Sequence, residues 1–221
     1  MAPSETPTTF RSGEALAWAE ALHRPQQRKG KAVPYLSHLL AVSALVWEDG
    51  GSETQAIAAL LHDAIEDASQ SHASIAERFG AEVADIVRDC TDTAADWDGG
   101  KKEPWLPRKR RFLNRLVELP ESSLLVIAAD KAHNAMDMAL DARRKPELWE
   151  RFTAGLEGSA WYLLRVHQQL SRRLPQSRSV ERLGEAVAEI LASEACRRLV
   201  PNGLAAAVWI AAYEQRQGSM E

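Results

Sequence analysis

Residues 60–68 read LLHDAIEDA, that is Leu60-Leu61-His62-Asp63-Ala64-Ile65-Glu66-Asp67-Ala68, and how they are read decides the fold. The apolar positions look like a buried helix, yet His62, Asp63, Glu66 and Asp67 put four ionisable groups into six positions. Burying a charge is costly unless a partner offsets the lost hydration. On one continuous helix, residues four apart share a face, so His62 pairs with Glu66 and Asp63 with Asp67. Adjacent His and Asp side chains point about 100° apart, and converge on one ion only near the edge of a face. A divalent cation supplies the missing charge, since it takes neutral imidazoles and ionised carboxylates together.

A single helix cannot complete such a shell, so further ligands must come from elsewhere. His38 lies 24 residues before His62, in PYLSHLLAVSALV (34–46), on a helix that precedes a Gly-Gly turn. Asp130 lies 67 residues after Asp63, in VIAADKAHNAMDM (126–138), directly behind the apolar run LLVIAA (124–129) where an unpaired carboxylate is hard to accommodate. Asp130, Asn134, Asp137 and Asp141 form a polar stripe at helical spacing, opposite an apolar face of Leu125, Ala129, Ala132, Met136 and Leu140. Taken singly, each has a plain explanation: a hydrogen-bonded core histidine, a solvated face, an acidic helix end. Taken together, in this order and on helices, they point to one metal centre.

The rest of the chain is helical in period, with no sustained alternation of β-branched residues. The expected fold class is therefore all-α, a compact multi-helix bundle. Helices are expected from Ser12 to His23, across Tyr35, Leu39, Val42 and Val46, and from an N-cap at Ser52 or Thr54 through the opening motif. Others are expected over about 72–79, 81–91, 108–118, 121–142 and 146–173. The loop TAADWDGGKKEPWLP (93–107) separates two of them. The stretch SRRLPQSRS (171–179) reads as a linker, followed by helices over about 180–197 and 203–216. The domain expectation is a main unit over 1–174, with 1–11 a loose tail, and a C-terminal helical extension over 175–221 packed on it.

Bulk properties narrow the function classes. The 221 residues are 45% hydrophobic and 26% charged, which suits a packed core with a soluble surface. A net charge of -4 and a pI near 5.9 give no reason to invoke nucleic acid or an anionic membrane. Cys90 and Cys196 stand in no metal-binding spacing, and the pattern favours a reducing compartment. MAPSETPTTF lacks the basic and apolar regions of a signal peptide, and LAAAVWIAAY (204–213) is too short to span a bilayer. The expected setting is cytoplasmic.

The arrangement H…HD…D on successive helices resembles the HD-domain metal-dependent phosphohydrolases. The added acidic pair in HDAIED resembles their RelA/SpoT-type branch, the (p)ppGpp hydrolases, including small standalone relatives. RKGKAVPYLSH (28–38), ALLHDAIED (59–67), FGAEVADIVRDCTD (79–92) and ADKAHNAMD (129–137) carry the resemblance, which spans about residues 12–170. It implies that His38, His62, Asp63 and Asp130 bind a metal, Mn2+ first and Fe2+ as another candidate. It implies that Glu66 and Asp67 position and activate the attacking water, and that Arg28, Lys29 and Asn134 contact a phosphorylated nucleotide. The implied activity is 3′-pyrophosphohydrolysis of guanosine-3′,5′-bis(diphosphate), without the synthetase domain of the long bifunctional enzymes. Alternatives are an HD-type phosphatase acting on the 2′-phosphate of NADPH or a nucleoside monophosphate, and a non-catalytic metal-binding regulator. A homo-oligomer is compatible with either.

A tyrosine of standalone relatives falls in register at Gly155 or Leu156 here, with Tyr162 several residues late. KKEPWLPRKRR (101–111) reads first as a solvated basic face and second as a polyphosphate-attracting patch, with Trp97 or Trp105 as a stacking surface. Trp149, Trp161 and Trp209 read as core, and His23, His72, His133 and His167 receive no metal assignment.

Overall fold

Local chemistry sets the helix boundaries. In the computed structural model, which describes residues 11–93, 100, 102–144, 149–150 and 152–218, α1 spans Ser12–His23 and α2 spans Leu36–Glu48. Residues 1–10, expected as a tail, lie outside this range, as do Trp97 and Lys101. The chain reverses through Asp49-Gly50-Gly51, where Gly50 has φ 79° and a Cβ on Gly51 would lie 2.6 Å from Val46 Cγ1. Only glycine fits this close return. Ser52 then caps α3 (Glu53–Leu61) in a reciprocal box: Gln55 N donates to Ser52 Oγ, and Ser52 N donates to Gln55 Oε1.

The opening motif is not one helix. α3 ends at Leu61, Asp63 takes φ -101° and ψ 4°, and α4 (Ala64–Ala68) starts anew. His62 Nδ1 donates to Ala59 O at 2.8 Å, a local bond of the kind that competes with helix continuation. The break corrects the expectation of a helix running through the motif, and frees His62 and Asp63 from the 100° separation. α5 (His72–Phe79) and α6 (Ala81–Cys90) follow, joined at Gly80 with φ 98°.

α7 covers Trp105–Arg115, earlier than expected, and α8 covers Glu121–Arg144. α9 spans Gly155–Arg173, a later start than expected, α10 Arg178–Ala192 and α11 Glu194–Leu199. α12 (Ala206–Ala211) and α13 (Tyr213–Gly218) close the chain. Each of the two late helices expected as continuous is therefore split, the first at Ser193, which caps α11 through Cys196 N. Among the described residues there is no strand, only an isolated bridge between Gln27 and Pro34. No helix among them is long and apolar enough to cross a membrane.

The core gathers around α3 and α8, with Leu39, Val42, Leu61, Ile127 and Ala128 all buried. Burying such side chains contributes roughly 1.5–3 kcal/mol each for the larger ones. The expected apolar face of α8 holds only in part, because Met136 and Leu140 are 37% and 50% exposed. α8 makes its most extensive packing with α10. The stretch expected as a linker is a tight junction. Ser177 Oγ, Arg178 N and Ser179 N all donate to the Asp49 carboxylate, at 2.8, 2.5 and 3.0 Å, and cap α10.

Candidate metal centre and adjoining cavity

α2, the α3–α4 break and α8 bring the buried His38, His62 and Asp130 together, with the partly buried Asp63 set against His62. His38 Nε2 and His62 Nε2 lie 3.3 and 3.6 Å from Asp130 Oδ1, and His62 Nε2 lies 2.9 Å from Asp63 Oδ2. Ligand atoms of His38, His62 and Asp130 all fall within 4.8 Å of one another. Both Nε2 atoms are buried without an aligned hydrogen-bond partner. Two orphaned nitrogens facing two carboxylates form a set that suits a divalent first-row metal. The residues fit the cation that this arrangement implies.

Each of the four has a supporting contact from a neighbouring residue, as metal-ligating residues generally do. His62 Nδ1 donates to Ala59 O, which leaves Nε2 as the lone-pair atom. His38 Nδ1 meets His133 Nδ1 at 2.8 Å. Tyr35 Oη donates to Asp63 Oδ2 at 2.5 Å. Asn134 Nδ2 donates to Asp130 Oδ1 at 2.6 Å and Lys131 Nζ to Asp130 Oδ2 at 2.5 Å. Lys131 sits on α8 immediately after Asp130 and Asn134 one turn on, so one helix delivers the carboxylate and two of its partners.

The electrostatics agree with a site built for positive charge. Burial disfavours imidazolium at His62, but Asp63 and Asp130 outweigh it and hold the ring well above the usual histidine range. At His38 burial wins and the ring is held low. Burial and then the neighbouring His38 bring His133 down to about 4. Two carboxylates demand a cation, and a bound metal ion answers that demand with both imidazoles neutral.

Glu66 and Asp67 do not join this cluster directly. They face Lys102, whose Nζ lies 2.7 Å from Glu66 Oε1 and 3.4 Å from Asp67 Oδ1, and Arg108 Nη1 lies 3.6 Å from Glu66 Oε1. Burial, then Asp92 and Asp63, raise the Glu66 carboxyl against the pull of Lys102. Burial and Asp63 raise that of Asp67.

A cavity of about 310 Å3 opens beside the centre. Its cations are Arg28, Lys29, Lys31, Lys109 and Lys131, and its aromatic walls include Trp105, Trp149, Phe152 and Tyr162. Tyr35, Lys131 and Asn134 belong both to this cavity and to the contacts of Asp63 and Asp130. Arg28 Nη2 donates to Asn134 Oδ1 at 2.9 Å and to Asp137 Oδ2 at 3.0 Å. Lys31 pairs with Asp137 and Asp141, so the polar stripe of α8 lines the cavity rather than facing open solvent. Lys29 Nζ stands 5.4 Å from the Phe152 ring centroid.

The basic stretch 101–111 is also not a solvated face where it is described. Arg108 and Lys109 both bind the buried Asp92 carboxylate, and Lys109 Nζ lies 4.5 Å from the Tyr162 ring centroid. Arg111 and Arg115 donate to carbonyls of Asp92, Thr91 and Asp89 at the end of α6. Trp149 and Trp161 are core residues as expected, but Trp149 is at once a cavity wall. Sequence alone does not single out Tyr35, Lys131, Tyr162 and Lys102 as site residues. For Tyr35 and Lys131 the available signal was a polar atom one or a few residues from a candidate ligand. Lys102 stood out only as part of the basic stretch 101–111, and its partners, 35 and 36 residues away, could not be read from its context.

Comparison with known proteins agrees with this geometry. The HD domain family model matches residues 15–153. A Xenopus tropicalis guanosine-3′,5′-bis(diphosphate) 3′-pyrophosphohydrolase MESH1 is 34% identical over 139 residues, which are 62% of this chain and 72% of that protein. The Homo sapiens protein of the same name is 32% identical over 139 residues, with the same coverage of each chain. A solved structure of a metazoan ortholog of SpoT that hydrolyzes ppGpp superposes with a TM-score of 0.63 at 25% identity. The match covers 83% of this chain and 97% of that one.

Proposed function

Because the chain belongs to the HD domain family, we propose that it is a metal-dependent phosphohydrolase whose substrate is guanosine-3′,5′-bis(diphosphate) and whose metal is Mn2+. The observation that carries the reading is the cluster of His38, His62, Asp63 and Asp130 abutting a cation- and aromatic-lined cavity. Relatives named for this reaction support the choice of substrate. These four residues hold the metal, and the extension over 175–221 belongs to the same catalytic unit, tied to it by the Asp49 cap on α10.

When bound, a divalent cation supplies Lewis-acid polarisation of a phosphoryl oxygen and acidification of water. Lys131 neutralises the outer oxygen of Asp130, and Tyr35 and Asn134 orient the inner carboxylate oxygens. Arg28 and Lys29 attract the phosphates, with Asn134 beside them and the aromatic walls accepting the base and sugar. The raised carboxyls of Glu66 and Asp67 place a proton acceptor closer to neutral pH than an ordinary carboxylate, which suits general-base work. Water oxygen bonds to the phosphorus on the 3′ oxygen, the bond from that phosphorus to O3′ breaks, and the acidic pair takes the water proton. Pyrophosphate leaves, and the 3′ oxygen gains a proton to become a hydroxyl.

The test is purified protein incubated with Mn2+ and guanosine-3′,5′-bis(diphosphate), with pyrophosphate measured. Stoichiometric pyrophosphate is expected. Orthophosphate from NADPH or a nucleoside monophosphate, with no pyrophosphate from the guanosine tetraphosphate, rejects the substrate and keeps the hydrolase.

A further inference from the structure

We propose that His133 is a positioning residue for the metal centre, fixing the tautomer of His38 so that its Nε2 lone pair faces the ligand point. The inference rests on the metal-site reading above and concerns a residue that received no assignment from its sequence context. His38 is 0% exposed, so water does not choose its tautomer. Its Nε2 has no aligned hydrogen-bond partner and faces Asp130 Oδ1 at 3.3 Å. Its Nδ1 lies 2.8 Å from His133 Nδ1, with ring centroids 4.8 Å apart.

A neutral imidazole carries one N–H and one lone pair. Two rings meeting Nδ1 to Nδ1 at hydrogen-bond distance can therefore hold only one proton between them. If His133 held it, His38 would carry its own proton on Nε2 and could not act as a ligand there. If His38 holds it, Nε2 is free to coordinate and His133 accepts through its Nδ1 lone pair. The other histidine of the centre meets the same need differently, because His62 donates to the carbonyl of Ala59, which can only accept. His133 can play either role, so the competence of His38 depends on it. Its place on α8 one turn after Asp130 gives a single helix both a ligand and the ring that orients another ligand.

The experiment measures Mn2+ affinity calorimetrically on the full chain after chelator treatment, for the wild type, H133F and H133N. Asparagine keeps an acceptor near the position of the imidazole Nδ1, whereas phenylalanine keeps the ring shape and removes the acceptor. We expect H133F to lose about 10–100-fold in affinity, the usual effect of removing an outer-shell partner, and H133N to recover most of it. A merely structural role would not distinguish the two in this direction. Wild-type affinity in H133F, or H133N as weak as H133F, overturns the role of His133. A wild-type chain that takes up no Mn2+ overturns the metal-site reading beneath it, so the two failures are distinguishable. Should H133F not fold, nitrogen-15 spectra of the wild-type histidine rings decide instead. A proton on Nδ1 of His38 and Nε2 of His133 is expected, and one on Nε2 of His38 overturns the proposal.

Discussion

Replacing Asp92 by asparagine tests the clasp that ties α7 to the end of α6. Asp92 is 4% exposed and receives both Arg108 and Lys109, whose side chains are 13% and 15% exposed. Burial alone would push its carboxyl up, but Lys109 and Arg108 outweigh burial and bring it from 3.8 down to about 2. A depressed carboxylate contributes stability that is fully present above its unfolded value of 3.8 and is lost as the pH falls through about 2. The difference corresponds to roughly 2 kcal/mol at neutral pH, about half of which is left at pH 3. The substitution removes the charge and leaves two buried cations facing a neutral amide, so the full loss reaches about 3 kcal/mol. Urea unfolding of wild type and D92N at pH 7 and pH 3 reads both numbers, with the gap between the proteins narrowing at the lower pH. A gap below about 0.5 kcal/mol at pH 7, the size of an ordinary surface substitution, would show that Asp92 does not hold the two cations. So would a gap that widens on acidification.

Other expectations concern single contacts. Asp49→Ala leaves the amides of Arg178 and Ser179 at the start of α10 without their acceptor, while the Ser177 side chain still caps Val180 N. We expect a cost of about 2 kcal/mol, or several degrees in Tm by calorimetry, and an unchanged Tm would contradict it. Asp67→Ala should cut kcat by about 10²–10⁴-fold while bound Mn2+, measured by elemental analysis, stays at the wild-type level; unaltered hydrolysis removes Asp67 from the chemistry. Lys102→Met deletes the charge that pulls the Glu66 carboxyl down. That carboxyl then rises further, so the acid limb of the kcat/KM profile should move to higher pH, and movement to lower pH would exclude Glu66 as the base.

The helical class was legible because period and breakers agree along the chain. Ser12–His23, the Ser52 cap and the turn at Gly80 are local matters that composition decides. The break at Asp63 was not legible, since LLHDAIEDA is good helix sequence and the bond from His62 to Ala59 O that accompanies the break depends on where the side chain is directed. The meeting of His38, His62 and Asp130, with Asp63 beside His62, could be anticipated from an apolar context that left their charges unexplained. The clasp of Arg108 and Lys109 on Asp92 could not, because a basic run has the same sequence appearance whether it faces water or a buried carboxylate. Tyr162 shows the same limit from another side. Its register seven residues after Gly155 looked displaced, yet α9 turns it into the cavity wall.

The most direct measurement is anomalous scattering from crystals soaked in Mn2+. One strong peak is expected about 2.2 Å from Nε2 of His38 and His62 and from carboxylate oxygens of Asp63 and Asp130. A chain that crystallises in this fold and shows no peak there, or shows one only at surface carboxylates, would contradict the metal-site reading.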